Sequence, residues 1–105
     1  MKSSIGGRLR SPDEAPVAGE RAEEVARIGG VIIEQILSGA LKAPVEYDQD
    51  HDEWVVVLSG GAVLQVGADR VELSAGDWLL LPARVPHRLL EIEPGTSWLA
   101  LHAYG

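Results

Sequence analysis

The chain has no cysteine, which excludes disulfides and thiolate metal sites alike. That suits a reducing compartment, although exported domains also do without cysteine. It is short of bases: nine Lys and Arg stand against 16 Asp and Glu, for a formal net charge of −7. Nucleic-acid backbones are held by clustered Lys and Arg that release counterions, so no nucleic-acid partner is expected. Nowhere do about 18 apolar residues run together, so no membrane span is expected either. The opening stretch MKSSIGGRLRSPDEAP carries charges but no apolar centre of a secretory signal. A cytoplasmic location is the expectation. No serine lies in a nucleophile-elbow setting, and the chain holds neither an internal repeat nor a low-complexity tract.

What is present suits one domain, since typical domains run to roughly 100–150 residues. Residues 1–21 hold Gly6-Gly7, Pro12, Pro16 and Gly19 and no sustained period. They read as an N-terminal arm, loosely attached or paired across a partner, with the folded domain over 22–105. From Glu23 the text changes to short segments rich in Val, Leu, Ile and Trp: EEVARI, VIIEQIL, EWVVVL, AVLQV, RVEL, WLLLP, HRLLEI and SWLALHAY. Turn signals such as Gly29-Gly30, Gly60-Gly61 and Pro94-Gly95 separate them. Short strands at close spacing predict an all-β sandwich or barrel. One rival stands over RAEEVARIGGVIIEQILSG, where Val25, Ile28 and Ile32 follow a helical spacing. The glycine pair in its middle weighs against a helix.

The stretch YDQDHDEWVVVLSGG, Tyr47 to Gly61, passes abruptly from acids to an apolar run. On an extended chain Glu53, Val55 and Val57 share one face, and Trp54, Val56 and Leu58 the other. Both faces are apolar, so the strand is expected to be buried on both sides. One side would line a barrel interior and the other would meet a second sheet or a subunit. Glu53 then sits at the edge of a dry cavity, where an unpaired carboxylate is costly and needs a cation or a hydrogen-bond partner.

These residues resemble a small single-domain cupin. The first cupin motif ends in a Glu, six residues and a Gly, matched by Glu53, WVVVLS and Gly60. The second is matched by Gly76, DWLLL, Pro82 and ARVPH through His87, with Arg84 where Gly is usual. The segment between them, Gly61 to Ala75, has the shortness of small cupins. The resemblance covers about residues 23–104. It implies a jelly-roll β-barrel with a pocket in its mouth. It also implies a divalent ion held by two His and the Glu of the first motif with the His of the second, which makes Glu53 and His87 ligands. The family's His-x-His positions fall on Tyr47 and Gln49, or on Glu46 and Asp48 if the spacer is one longer.

Substitutes for those two histidines are at hand. His51 lies two residues before Glu53 and shares its face, as do Gln49 and Tyr47. Imidazole, carboxylate and amide oxygen together suit Zn, Fe, Ni or Mn rather than Ca or Mg. The candidate metal ligands are therefore His51, Glu53 and His87, with Tyr47, Gln49 and His102 as candidate pocket residues. His102 joins only if Trp98, Ala100 and His102 face inward. The opposite face, Leu99 and Leu101, looks more like core. Glu91, where the family often has Asn, reads as a surface acid.

Three functions stay open. One is a metal-dependent enzyme polarising a small organic substrate at the ion. Another is a metal-free small-molecule binder or sensor. The third is a metal-free acid–base enzyme using His87 with Tyr47 or Tyr104. Strands apolar on both faces leave more hydrophobic surface than one small barrel hides, so a homodimer is expected.

Overall fold

The glycine pair that weighs against a helix is a hairpin turn. Gly29 takes a positive φ of 56°, which glycine adopts without steric cost, and Ile28 faces Val31 across the turn. The computed structural model describes residues 3–104. After a single 3-10 turn at Pro12–Glu14 come nine strands: β1 Glu20–Ile28, β2 Val31–Ser38, β3 Val45–Tyr47, β4 Asp52–Ser59, β5 Gly61–Val66, β6 Asp69–Ser74, β7 Trp78–Leu81, β8 His87–Ile92 and β9 Thr96–Ala103.

They form two antiparallel sheets, one in the order β1-β2-β9-β4-β7 and the other in the order β3-β8-β5-β6. Val55, Val57, Leu81, Trp98 and Ala100 of the first sheet pack against Ala62, Leu64, Leu73 and Leu89 of the second. This is the all-β barrel architecture that the segment pattern predicts. The indole N–H of Trp98 finds a partner inside, donating to Ser38 Oγ at 3.1 Å.

The two faces of β4 are not equally buried. Glu53, Val55 and Val57 point inward and are buried, whereas Trp54 and Val56 are half-buried and Leu58 is exposed. β9 corrects a sequence expectation: Leu99 and Leu101 are not core. Trp98 and Ala100 are buried, and Leu99 and Leu101 half-exposed, because the β4–β9 register sets Val57 opposite Trp98 and Val55 opposite Ala100. The same register carries His102 inward beside Glu53.

Residues ahead of β1 lie against the chain's own β2. The Arg10 backbone and the Gln35 side chain exchange two hydrogen bonds, at 2.8 and 3.0 Å, and the Arg10 guanidinium pairs with Glu14 and Glu23. Gly39 admits this approach, since a Cβ there would lie 2.0 Å from the Pro16 carbonyl oxygen. Glycine is also required at Gly60, with φ of 88° and Thr96 Oγ1 2.3 Å from where a Cβ would be. Arg84 takes φ of 67°, a left-handed conformation that costs a non-glycine residue roughly 1–2 kcal/mol. Its backbone N–H donates to Gln49 O at 2.7 Å and so ties the loop after β7 to the loop before β4.

Candidate functional site in the barrel mouth

Three adjacent strands deliver the central groups. Register pairs Glu53 of β4 with His102 of β9, and His102 with Ile32 of β2. Glu34, two residues along β2 from Ile32, therefore lies on the same inward face. His51 arrives from the loop just before β4. The result is one hydrogen-bonded line. His102 Nε2 meets Glu34 Oε1 at 3.2 Å, His102 Nδ1 meets His51 Nε2 at 2.9 Å, and His51 Nδ1 meets Asp50 Oδ1 at 3.2 Å. Glu53 Oε1 stands 4.0 Å from His102 Nδ1.

Proton counting makes this line unusual. A carboxylate only accepts, so each outer contact takes an N–H from its imidazole. A neutral imidazole has only one N–H. If both are spent outward, His51 Nε2 and His102 Nδ1 face each other as lone pairs at 2.9 Å. Such a pair needs a proton or a cation between it. The His51 contact draws the Asp50 carboxyl pKa down, as a hydrogen bond to the charged form does.

The His51 contact is joined in lowering the Asp50 pKa by the nearby positive charge of Arg84. Among the described residues the arginines that form ion pairs do so with Glu14, Glu23, Glu24, Glu46 and Glu91, none of which belongs to this line. Glu53 is only 6% exposed. A fourth carboxylate, Glu20 on the edge strand β1, accepts from the Tyr47 hydroxyl at 3.3 Å. Desolvation pushes the Glu20 pKa up although the residue is exposed as a whole, the Tyr47 hydrogen bond opposes this, and Glu53 and Glu34 add to the rise. Burial first, then Glu20, pushes the Tyr47 phenol up to about 12.

The sequence-predicted residues divide into two groups. His51, Glu53 and His102 come together. His87 does not join them: it is buried and stacks on Tyr47, with ring centroids 5.3 Å apart and planes 14° apart. His87 and Tyr47 form a side wall. Gln49 lies in the loop between β3 and β4, and its Oε1 is buried with no partner. Among the described residues no three His, Asp or Glu side chains already stand as a metal-holding group, so the predicted trio His51, Glu53 and His87 is not assembled. Sequence reasoning missed Glu34 and Glu20. The signal for Glu34 was a lone acid inside the apolar run VIIEQIL.

Two clefts open on these groups. One of about 570 Å³ is lined by Asp50, His51, Asp52 and Tyr104, with the His51 and Tyr104 rings stacked at 4.3 Å. The other, about 520 Å³, is lined by Tyr47, Gln65, His87 and Arg88. Each is of a size that takes a small organic molecule.

The cupin domain profile matches residues 32–102, from β2 to His102 itself. The chain belongs to the cupin family. No curated protein matches it. Among solved structures, a protein of Ralstonia eutropha JMP134 named as a candidate mannose-6-phosphate isomerase shares 31% identity, over 94% of this chain and 100% of that one, with a TM-score of 0.78. A cupin superfamily protein of Desulfitobacterium hafniense DCB-2 is 22% identical over 99% and 97% of the two chains, TM-score 0.76. KdgF from a Halomonas species is 19% identical over 81% and 78%, TM-score 0.71. The last two share the fold.

In this cupin the donor types of His51, His102 and Glu53 suit a divalent transition metal, but among the described residues no three His, Asp or Glu side chains, these included, already stand as a metal-holding group. Ligand atoms about 2.0–2.2 Å from one tetrahedral ion lie roughly 3.4 Å apart; the two imidazole nitrogens stand closer, at 2.9 Å, and Glu53 stands further, at 4.0 Å from His102 Nδ1, so the three would have to shift to share one ion. Both imidazoles also give their far nitrogen to a carboxylate, the usual support of a metal-ligating histidine.

Proposed function

We propose that this cupin takes up a divalent transition metal, Zn, Fe, Ni or Mn, through His51 Nε2, His102 Nδ1 and Glu53, and uses it to bind a small organic molecule in the barrel mouth. One observation carries the reading. The outer nitrogens of His51 and His102 are committed to Asp50 and Glu34, which leaves the inner pair facing each other at 2.9 Å beside the Glu53 carboxylate. When bound, the ion acts as a Lewis acid on an oxygen of the ligand.

The chain's own groups do the rest. Glu34 fixes the His102 tautomer and ring plane, and Asp50 does the same for His51. Tyr47 and His87 form a flat wall for the ligand, and Gln49 Oε1 is an acceptor waiting for a donor. The carboxylates of Glu20, Glu34, Asp50 and Glu53 disfavour an anion, so a neutral hydroxy or carbonyl compound fits better than the sugar phosphate in the Ralstonia protein's name. Metal uptake displaces any proton shared by the two imidazoles, so binding releases acid and weakens at low pH.

A second reading rests on the same contact. A proton, rather than a metal, bridges His51 and His102, and the chain is a metal-free small-molecule binder. Protein purified without a chelating tag, reconstituted anaerobically and analysed by inductively coupled plasma mass spectrometry separates the two. The metal reading expects close to one ion per chain in the wild type and His87→Ala, and a loss of tenfold or more in His102→Ala. No metal in the wild type leaves the metal-free reading. Loss in His87→Ala alone moves the site to the side wall and overturns the ligand set.

A further inference from the structure

We infer that the turn between β7 and β8, Pro82 to Val85, is a clamp that positions His51, with Asp52 and the Arg84 backbone as its two grips. The other groups at the centre of the mouth are held by strand pairing. Glu53 pairs with Leu81 on one side and His102 on the other, and His102 pairs with Ile32 as well. His51 lies one residue ahead of the β4 ladder, whose first pair is Asp52 with Ala103. Its ring still stands 2.9 Å from a nitrogen of His102. Stacking on Tyr104 restrains the plane of that ring but does not fix the backbone that carries it.

Two consecutive N–H groups fix it. The Ala83 N–H donates to Asp52 Oδ1 at 2.8 Å, and the Arg84 N–H donates to the Gln49 carbonyl oxygen at 2.7 Å. Gln49 is two residues before His51 and Asp52 is one after, so the chain is gripped on both sides of the imidazole. A metal-ligating side chain has to be held within about 0.5 Å of its working position. On the proposed reading of His51 as a ligand, this clamp is what does so.

The conformation of the turn accounts for the second grip. Val85 N–H closes it onto the Pro82 carbonyl at 3.3 Å, and Arg84, third of its four residues, is the one non-glycine among the described residues with a positive φ. That makes it a type II turn. Relative to type I, ψ of the second residue and φ of the third differ by about 150° and 170°, which turns the peptide between Ala83 and Arg84 over. In a type I turn that peptide would present the Ala83 carbonyl where Gln49 now finds an N–H, and two acceptors would face each other. The left-handed conformation is costly for arginine, and the Gln49 contact requires it. Strain kept beside a candidate ligand is what a positioning device looks like.

Proton NMR of the metal-free full chain tests this through the Overhauser contact between the His51 and His102 rings, whose centroids are 5.0 Å apart. The wild type should show the contact. Asp52→Ala should lose it while the far-ultraviolet spectrum stays unchanged. Asp52→Asn removes the charge but keeps an oxygen for the Ala83 N–H, and should restore it. Arg84→Gly takes the same turn without strain and lacks the guanidinium near Asp50, and should keep it. A contact absent from the wild type, or surviving in Asp52→Ala, overturns the inference. So does its loss in Asp52→Asn, which would make the charge the cause, or in Arg84→Gly, which would make the guanidinium the holder. Zinc affinity, measured by competition with a chromophoric chelator, should fall tenfold or more in Asp52→Ala and stay within about twofold of wild type in the other two variants. Equal affinity in Asp52→Ala and wild type also overturns the clamp. A wild type that takes no zinc removes the proposed metal function instead, and the ring contact then decides the clamp alone.

Discussion

β4 and β9 each run through two different environments, and their inward residues change character over one step of the strand repeat. Toward the closed half of the barrel, Val55 and Val57 meet Ala100 and Trp98 under Leu64, Leu73 and Leu89. Toward the mouth, the next inward pair is Glu53 and His102. The backbone ladder is continuous and the register is the same. The difference lies in what stands opposite. The closed half is covered by the four-stranded sheet, whereas the mouth is bordered by loops, the side chains of β2 and β1, and open clefts. The apolar packing thus lies in one half of the barrel and the titratable side chains in the other.

The largest expected effect breaks the closed half. Leu64 is buried at its centre, and Leu64→Ala should lower the free energy of unfolding by about 2–5 kcal/mol through lost burial and a residual cavity. Urea unfolding checks this, with the midpoint falling and the slope retained. Metal stoichiometry of the folded fraction should not change, because Leu64 belongs to the core cluster with Val55, Val57 and Leu89 and not to the line of His51, His102 and Glu53. Loss of metal together with stability would show that the two halves are one cooperative site.

A smaller effect of opposite sign sharpens the comparison in the mouth. Glu53 is a buried carboxylate 4.0 Å from His102 Nδ1, beyond hydrogen-bond distance. In metal-free protein, Glu53→Gln should raise stability by about 1 kcal/mol, since a buried carboxyl group without a hydrogen-bond partner gives way to a neutral amide. In reconstituted protein the same variant should lose metal and with it the stabilisation that metal gives. The wild type and variant should therefore exchange order of stability when metal is added. A variant less stable than wild type without metal would mean that Glu53 is already balanced inside the protein.

How much of this could be read from the sequence also follows the division between halves. Alternation in EWVVVLS places Glu53, Val55 and Val57 on one face, and the structure has them there, because a strand's period of two is a local property. The spacing of Gly60, Gly76, Pro82 and His87 is likewise local and carried the family. Cross-strand register is not local. Nothing in SWLALHAY alone decides whether Leu99 or Ala100 faces inward; pairing with β4 and β2 does. The same holds for Glu34, which reaches His102 across 68 residues of chain. Arg84 is a third case. Its backbone takes the left-handed conformation that the family's usual glycine allows, so the substitution changes the residue without changing the turn.

The smallest expected effect concerns the mouth's side wall. Tyr47 has its phenol pushed up to about 12 by burial first and by the Glu20 carboxylate beside it. A group whose folded pKa lies above its unfolded value of 10.0 favours the protonated fold. Its stabilising contribution is complete below pH 10 and is lost as pH rises through about 12. Stability of the wild type should therefore fall over that window more steeply than that of Tyr47→Phe, which has no phenol to ionise. The difference between the two curves isolates Tyr47 from the lysine and arginine titrations that both proteins share. Parallel curves would mean that the hydroxyl reaches solvent at the mouth and that the Glu20 contact opens readily, so that the wall beside His87 is looser than the hydrogen-bonded line from Asp50 to Glu34.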